Sequence, residues 1–430
     1  MELKRILIIS YFFPPCNLTA SQRVFGMAKY LSDNGYYPII IARNWDIQIS
    51  YPEDILASSG NEIKIEKFEN YEIHSLPYKS SLRDKCFRKS VKNKLFKPIS
   101  KVLTLFNLFT EKFTNYFIPF SNLYSYSKKI IKQENINKVI ISGNPFVQFK
   151  FGYLLKKELK VKWVADYRDG WYTRELVNPK KGFKGLVTKF ESTKEKKWVG
   201  SAEFFTSVSK LYVDEISNFV QKKGYVISNG YDNIRTSNVS VDKTLFRITY
   251  NGTLYPEQPI ESFLDVIILL VNDEEIKLHL MLDFPGLGFD PIQENRVKSY
   301  MKGYEENYNS SGRIPHEEVI SLQQKSDLLL MISYGHLKGI PSSKLYEYIG
   351  LKKPVLLYPN DFDIIEETLQ EVNCGIICDN KDELYHKLKE VIISKQRESF
   401  DINGINLDKV EFYSRKSQIK EFAKLLDTIE

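Results

Sequence analysis

Short runs of β-branched and aliphatic residues recur along this 430-residue chain, alternating with stretches whose apolar positions fall three and four apart. "RILIIS" (5–10) is followed by "ASQRVFGMAKYLSDNG", which has Ser21 near its start and Gly35 after its end, the marks of a capped helix. Further strand-like runs fall at 36–43, 72–77, 138–144, 161–169, 203–209 and 224–230, with helical patterns between most of them. This βαβ rhythm predicts a parallel sheet covered on both faces. The turn-rich stretch "VISNGYDNIRTSNVSVDKTLF" interrupts it, and the series restarts at 246–253, 276–284, 328–333, 354–359 and 374–379. The chain therefore reads as α/β, one doubly wound unit used twice. The N-terminal domain is expected over 1–230 and the second over 231–410, with a linker near 231–245. A final helix over 411–430 is expected to pack back toward the first domain. Such folds place ligands at the carboxyl ends of their strands, here in an interdomain cleft.

One region departs from the rhythm. Some sixty residues separate the strands near 77 and 138, where a single helix would suffice. Residues 79–101 carry nine Lys/Arg and one Asp. Immediately after, Ile99, Val102, Phe106, Phe109, Phe113 and Phe117 recur at helical spacing. A basic run beside an aromatic face suits attachment to an anionic membrane surface. The competing reading packs that face on the N-terminal sheet and leaves the lysines merely solvated.

Charge sharpens the contrast between the halves. Residues 1–230 hold 38 Lys/Arg and 21 Asp/Glu, a surplus of 17 positive charges, whereas residues 231–430 hold 23 and 33. One half prefers an anionic surface, and the other does not. Cysteines stand only at 16, 86, 374 and 378, too few for a disulfide scaffold, which points to a reducing compartment. Cys374 and Cys378 read as core thiols. The N-terminus lacks a signal-peptide cleavage pattern, and no segment offers the ~18 apolar residues needed to span a bilayer. The expectation is a soluble chain, or one held at a membrane from outside.

Several common chemistries find no support. There is no G-x-x-x-x-G-K-[ST] and no G-x-G-x-x-G after the first strand, which argues against P-loop and nicotinamide enzymes. The five histidines show no H-E-x-x-H spacing. Asp361 and Asp363 form a D-x-D, but between a strand and a helix acidic residues serve the helix N-terminus. The basic run belongs to no nucleic-acid recognition module.

The stretch "HLKGIPSSKLYEYIGLKKPVLLYPN" (336–360) is more informative. With Ser342 as N-cap, Glu347 falls two residues too late for a capping box. Leu345, Tyr348 and Ile349 form the buried side, so Lys344 and Glu347 share the open one. A helix N-terminus with a lysine suits phosphate, and a carboxylate one turn on accepts two hydrogen bonds from a ribose diol. Taken alone, an exposed ion pair between Lys344 and Glu347 explains the spacing equally well.

Five segments in order change that balance. "PSSKLYEYIGLKKPVL" (341–356), "ISNGYD" (227–232), "TYNGTLYPEQP" (249–259), "GRIPHEEVISLQQKSDLLLMIS" (312–333) and "FFPPCNLTASQRVFGMAKYLSDNGY" (12–36) resemble the GT-B glycosyltransferases of family GT4 over nearly the whole chain. "WVADYRDGW" (163–171) is similar to a segment of a bacterial surface-polysaccharide subgroup. The resemblance implies two Rossmann-like domains facing across a cleft, with the acceptor on the first and a nucleotide sugar, UDP favoured, on the second. It implies that Glu347 holds the ribose and that Ser343 and Lys344 hold the diphosphate. Arg313 and Ile314 would lie against the base, with Gly252 and Thr253 close to the phosphates. Ser21, Gln22 and Arg23 would face the leaving phosphate. Where many relatives place a His near the reacting carbon, this chain has Asp166 and Asp169, which would be the catalytic carboxylates that orient the acceptor hydroxyl or stabilise developing positive charge. Arg168, Trp171 and Asn144 would contact the acceptor. For the carboxylates, the competing reading is an ion pair of one aspartate with Arg168.

Two further departures stand out. The family's first E-x7-E glutamate falls on Gly339, so donor-sugar contacts would have to come from elsewhere, such as the backbone of 337–340, Ile340 included. The basic residues usual after the "Y-x-G" strand are missing, which shifts phosphate neutralisation onto Lys344 and Arg23. The resulting expectation is retaining, metal- and cofactor-independent transfer to a polyprenyl-pyrophosphate-linked glycan at the inner face of the cell membrane. An epimerase or hydrolase on the same fold, and a non-catalytic nucleotide-sugar binder, are the alternatives.

Overall fold

The computed structural model describes residues 3–429, apart from 48, 50, 172–181, 233–241 and 400–403. The chain forms two compact units, one of residues 1–228 with 418–430, the other of residues 229–417.

In the first unit the apolar runs form β1 (Lys4–Ser10), β2 (Tyr36–Arg43), β4 (Glu72–Leu76), β5 (Lys138–Gly143), β6 (Lys162–Tyr167), β7 (Phe205–Ser207) and β8 (Gly224–Val226). An additional strand, β3 (Lys64–Lys67), makes the sheet eight-stranded in the order β3-β4-β2-β1-β5-β6-β7-β8. All neighbours are parallel except β3, which runs antiparallel to β4 at the edge. Its sequence, KIEK, is exposed at all four residues and has no apolar period, so hydrophobic patterning could not reveal it. Its charges suit a solvated edge. Ile6, Ile8, Ile40 and Ile140 line the core, where Ile419, Phe422 and Leu426 of the last helix (Arg415–Asp427), and Ile429 just after it, join them.

Helix α1 (Ala20–Tyr30) follows β1, and the long insertion folds as α2 (Leu82–Lys92) and α3 (Phe96–Thr110) before α4 (Ser121–Gln133) and α5 (Phe149–Leu159). Ser81 and Asp84 form a capping box at the start of α2. α3 ends at Thr110, so Phe113 and Phe117 lie beyond the helix on which their spacing placed them. The physical reason is Lys150, whose ammonium donates to the main-chain carbonyls of Glu111 and Thr114 and closes the helix end.

The second unit carries β9 (Leu245–Thr249), β10 (His279–Phe284), β11 (Tyr308–Ser310), β12 (Leu328–Met331), β13 (Val355–Leu357) and β14 (Gly375–Ile377). Its sheet is wholly parallel, in the order β11-β10-β9-β12-β13-β14. β9 and β12 are neighbours, yet the chain moves outward from them in opposite directions. That reversal opens a crevice beyond their carboxyl ends. Cys374 and Cys378 are buried beside this sheet, and desolvation pushes both thiols up to about 12.

Candidate functional site

At the reversal in the second unit, the loop after β9 turns through Gly252 at φ +92°. A Cβ there would sit 3.3 Å from Lys344 Cε, a tight contact in a left-handed backbone conformation that favours glycine. Gly286, at φ +88°, approaches from the loop after β10; its own Cβ would meet Gly252 Cα at 3.1 Å. Gln258, 1% exposed, fixes the loop: its side-chain carbonyl accepts from Tyr250 Oη (3.0 Å) and the Tyr255 N–H (3.0 Å), and its amide donates to the Ile332 carbonyl (2.8 Å). Buried amides of this kind hold two loops in register.

The helix Ser343–Gly350 begins at the same crevice, with Ser342 as its N-cap accepting weakly from the Lys344 N–H (3.4 Å). Leu345, Tyr346, Tyr348 and Ile349 are buried, which leaves Lys344 and Glu347 on the open side. Lys344 Nζ donates to Tyr250 Oη (3.3 Å) and lies 4.8 Å from the centre of that ring. Desolvation raises the Tyr250 phenol, so it remains a neutral partner. Glu347 does not pair with Lys344. It accepts instead from Asn251 Nδ2 (3.2 Å) and Gln323 Nε2 (2.6 Å), and its other oxygen meets His316 Nε2 (2.8 Å). The Glu347 hydrogen bond raises the His316 pKa above its ordinary value, against the opposing effect of desolvation. Half-buried Lys344 thus remains next to neutral groups at a helix N-terminus, where an anion is favoured.

Two further loops border the crevice. Gly286 and Gly288 donate main-chain N–H groups to the turn at Ser311–Gly312, which presents exposed Arg313 over the Phe289 ring at 4.7 Å and half-buried Ile314 beside it. The segment before the helix, with half-buried Ile340, is tied down by the D-x-D: the Gly339 N–H donates to Asp363 Oδ2, and Lys338 Nζ to the Asp361 carbonyl. Asp361 caps the next helix by accepting from the N–H groups of Ile365 and Glu366, both at 2.9 Å. Among the described residues, no group of three or more His, Cys, Asp or Glu side chains is placed to hold a metal ion.

The first unit requires corrections. Asp166 is fully buried and Arg23 is 4% exposed. Arg23 Nε and Nη2 donate to the carboxylate at 2.7–3.1 Å, and Ser142 Oγ (2.9 Å) and Thr206 Oγ1 (2.8 Å) complete its shell. Arg23 Nη1 donates to the Ile227 carbonyl (2.9 Å). In register, Ser142, Asp166 and Thr206 are neighbours across β5, β6 and β7, so this is an internal clamp across the sheet. Neither Asp166 nor Arg23 is presented to a substrate as the sequence suggested. Ser21 is likewise buried, with its hydroxyl turned to the carbonyls of Cys16 and Leu18. Other candidates stay at the carboxyl ends of β5 and β6: Asn144 is exposed, and Arg168 pairs with part-exposed Asp169 at 3.4 Å. Trp171 stacks on Phe146 (centroids 5.3 Å, 10° between planes) and donates its indole N–H to Glu191.

No family model matches the chain, and no curated protein does. Solved structures do. Sucrose-phosphate synthase from Thermosynechococcus elongatus matches with a TM-score of 0.66 at 12% identity, covering 99% of both chains. HepE from Anabaena, solved with UDP and glucose, matches with 0.63 at 11% identity over 99% of this chain and 100% of its own. WaaG, a glycosyltransferase involved in lipopolysaccharide biosynthesis, gives 0.58 at 12% identity over 98% and 99%. A structure from Listeria monocytogenes described as a UDP-N-acetylglucosamine 2-epimerase gives 0.53 at 10% identity over 99% and 96%.

The chain has the GT-B fold.

Within this GT-B chain, Gly252 lies against Lys344 of the helix Ser343–Gly350, and Gly286 ties the turn before Arg313 and Ile314 to the same corner of the second unit. Sequence patterning missed Asn251, Gln258, His316 and Gln323. His316 and Glu347 are 31 positions apart on different helices, and no local period connects them.

Proposed function

We propose that this GT-B protein is a glycosyltransferase that takes a sugar from a nucleotide diphosphate sugar, UDP favoured. The observation that carries the reading is the pair Lys344 and Glu347. The lysine lies against the Tyr250 phenol at a helix tip, and the carboxylate one turn on is held by Asn251, Gln323 and His316. The diphosphate would take the helix N–H groups and Lys344, the ribose diol would bond to Glu347, and the base would lie against Arg313–Ile314. A pre-set helix terminus and a cation stabilise charge developing on the leaving diphosphate, so the reading assigns no role to a metal or other cofactor. HepE, solved with UDP and glucose, lends support to the donor class.

In the same reading the acceptor is a hydroxyl of a polyprenyl-pyrophosphate-linked glycan of a bacterial surface polysaccharide. Transfer retains configuration at the inner face of the cell membrane, and the basic first unit meets anionic lipid. Arg168, Asp169, Trp171 and Asn144 are the acceptor-side residues, with Asp169 the remaining carboxylate for orienting the attacking hydroxyl. Among the described residues no helix is long and apolar enough to cross a membrane. The likeness to an epimerase supplies a second reading, turnover of the nucleotide sugar without an acceptor.

Calorimetric titration with UDP and GDP tests the site. Lys344→Ala and Glu347→Ala should each cost about 1.5–3 kcal/mol of nucleotide binding, the worth of a charge-assisted hydrogen bond. Unchanged affinity in both variants refutes the assignment. Consumption of a nucleotide sugar in the absence of any acceptor would favour the epimerase.

A further inference from the structure

The most unusual surface of the first unit is the hairpin of α2 and α3. The covered side of α3 mixes buried Ser100 and half-buried Thr104 and Asn107 with half-buried Leu103 and Leu108, and Thr104 Oγ1 donates to the Ser100 carbonyl (2.7 Å) and accepts from Arg83 Nε (3.4 Å). Its open side carries Val102 (65% exposed), Phe106 (47%) and Phe109 (57%), followed by Phe113 (70%) and Tyr116 (83%); Leu95, before the helix, is 77% exposed. The face expected from its period is present, but it does not pack on the sheet. Among the described residues, eleven of the exposed large apolar side chains lie between 82 and 117. An apolar surface of this extent, rimmed by charge, marks an interaction site.

The hairpin is firmly rooted. Lys194, with its side chain 2% exposed, pairs with Glu111 at 3.0 Å and with Glu191 at 3.2 Å. Lys150 grips the carbonyls after α3, and burial draws its pKa down to about 8. Glu191 also receives the Trp171 indole N–H, so the Arg168–Trp171 segment stands on the same charged cluster.

The charge pattern selects the occupant. Lys85, Arg88, Lys89, Lys92, Lys94 and Lys97 are exposed on this hairpin, whereas its one early carboxylate, Asp84, is buried in the capping box. A second copy docked through the same face would bring two basic runs together. An anionic bilayer satisfies both features, with aromatic side chains at the acyl boundary and ammonium groups at lipid phosphates. We infer that the α2–α3 hairpin and the turn through Phe113 and Tyr116 form a foot that inserts into one leaflet of an anionic membrane, holding the Arg168–Trp171 segment at a set height above it. The foot deepens the proposed transfer to a lipid-linked acceptor, and its value for transfer rests on that reading.

The test is flotation of the full chain with vesicles of phosphatidylglycerol and phosphatidylcholine in equal parts, or of phosphatidylcholine alone. Wild type should float only with the anionic vesicles. Val102→Ser, Phe109→Ser and Phe113→Ser combined, all at exposed positions, should lower partitioning roughly tenfold or more even at low salt. Replacing Lys89, Lys92, Lys94 and Lys97 by Gln should give a loss that grows with salt. A Phe109→Trp variant should be quenched by brominated acyl chains. Unchanged flotation of the triple variant overturns the inference, as does a wild type that ignores vesicles but self-associates through this face in sedimentation. UDP titration of the same variants separates the two proposals: a foot that binds vesicles on a chain that never binds UDP would sink the donor reading alone.

Discussion

Asp166→Asn separates an internal clamp from a catalytic group more sharply than any other substitution in the first unit. The asparagine keeps the shape and can still meet Ser142 and Thr206, but it leaves the 4%-exposed Arg23 guanidinium without a counter-charge. Breaking a buried, hydrogen-bonded pair on one side costs about 3–5 kcal/mol, a large share of a typical folding free energy. All four tryptophans, at 45, 163, 171 and 198, belong to the first unit, so urea unfolding followed by their fluorescence reports on that unit alone. The midpoint should fall on the order of 1 M. The double variant Arg23→Met with Asp166→Leu should recover most of the loss, because neither charge is then left buried alone. Asp169→Asn, in a part-exposed pair, should shift stability by less than about 1 kcal/mol. An unchanged midpoint for Asp166→Asn together with abolished sugar transfer would refute the clamp.

The remaining predictions concern the second unit. His316 should titrate above its ordinary 6.5 by NMR, and Glu347→Gln should lower that midpoint. Because the folded value is raised, the stabilisation is complete below the unfolded pKa and is lost as pH rises through the folded one; with His316 63% exposed it will be small. Gly252→Ala places a methyl group 3.3 Å from Lys344 Cε at φ +92°, and should cost about 1–3 kcal/mol of stability and weaken UDP binding; equal affinity to wild type would contradict the close-approach argument. Transfer measured in excess EDTA should equal the untreated rate, and a loss restored by a divalent cation would show that Lys344 and the helix terminus do not suffice.

Much of the fold was legible because it rests on local period. Aliphatic runs such as KRILIIS and YYPIIIAR, alternating with helical patterns, point to a parallel sheet covered on both faces, and the polar break near 231 marks where a second series begins. The helix Ser343–Gly350 was readable for the same reason, since capping and burial assign its open side within eight residues. Tertiary structure decided what those positions meet. Arg23 and Asp166 are 143 positions apart, and only the adjacency of β5, β6 and β7 turns two expected cleft residues into a buried pair. Glu347 finds its partners on two other elements rather than on Lys344, three residues away. The period of α3 specified an apolar face but not its direction; in the structure Lys150 and Lys194 hold Glu111 just after the helix, and Val102, Phe106 and Phe109 stay exposed. Period is a property of neighbours in sequence, whereas pairing and exposure depend on which distant elements the sheets bring alongside.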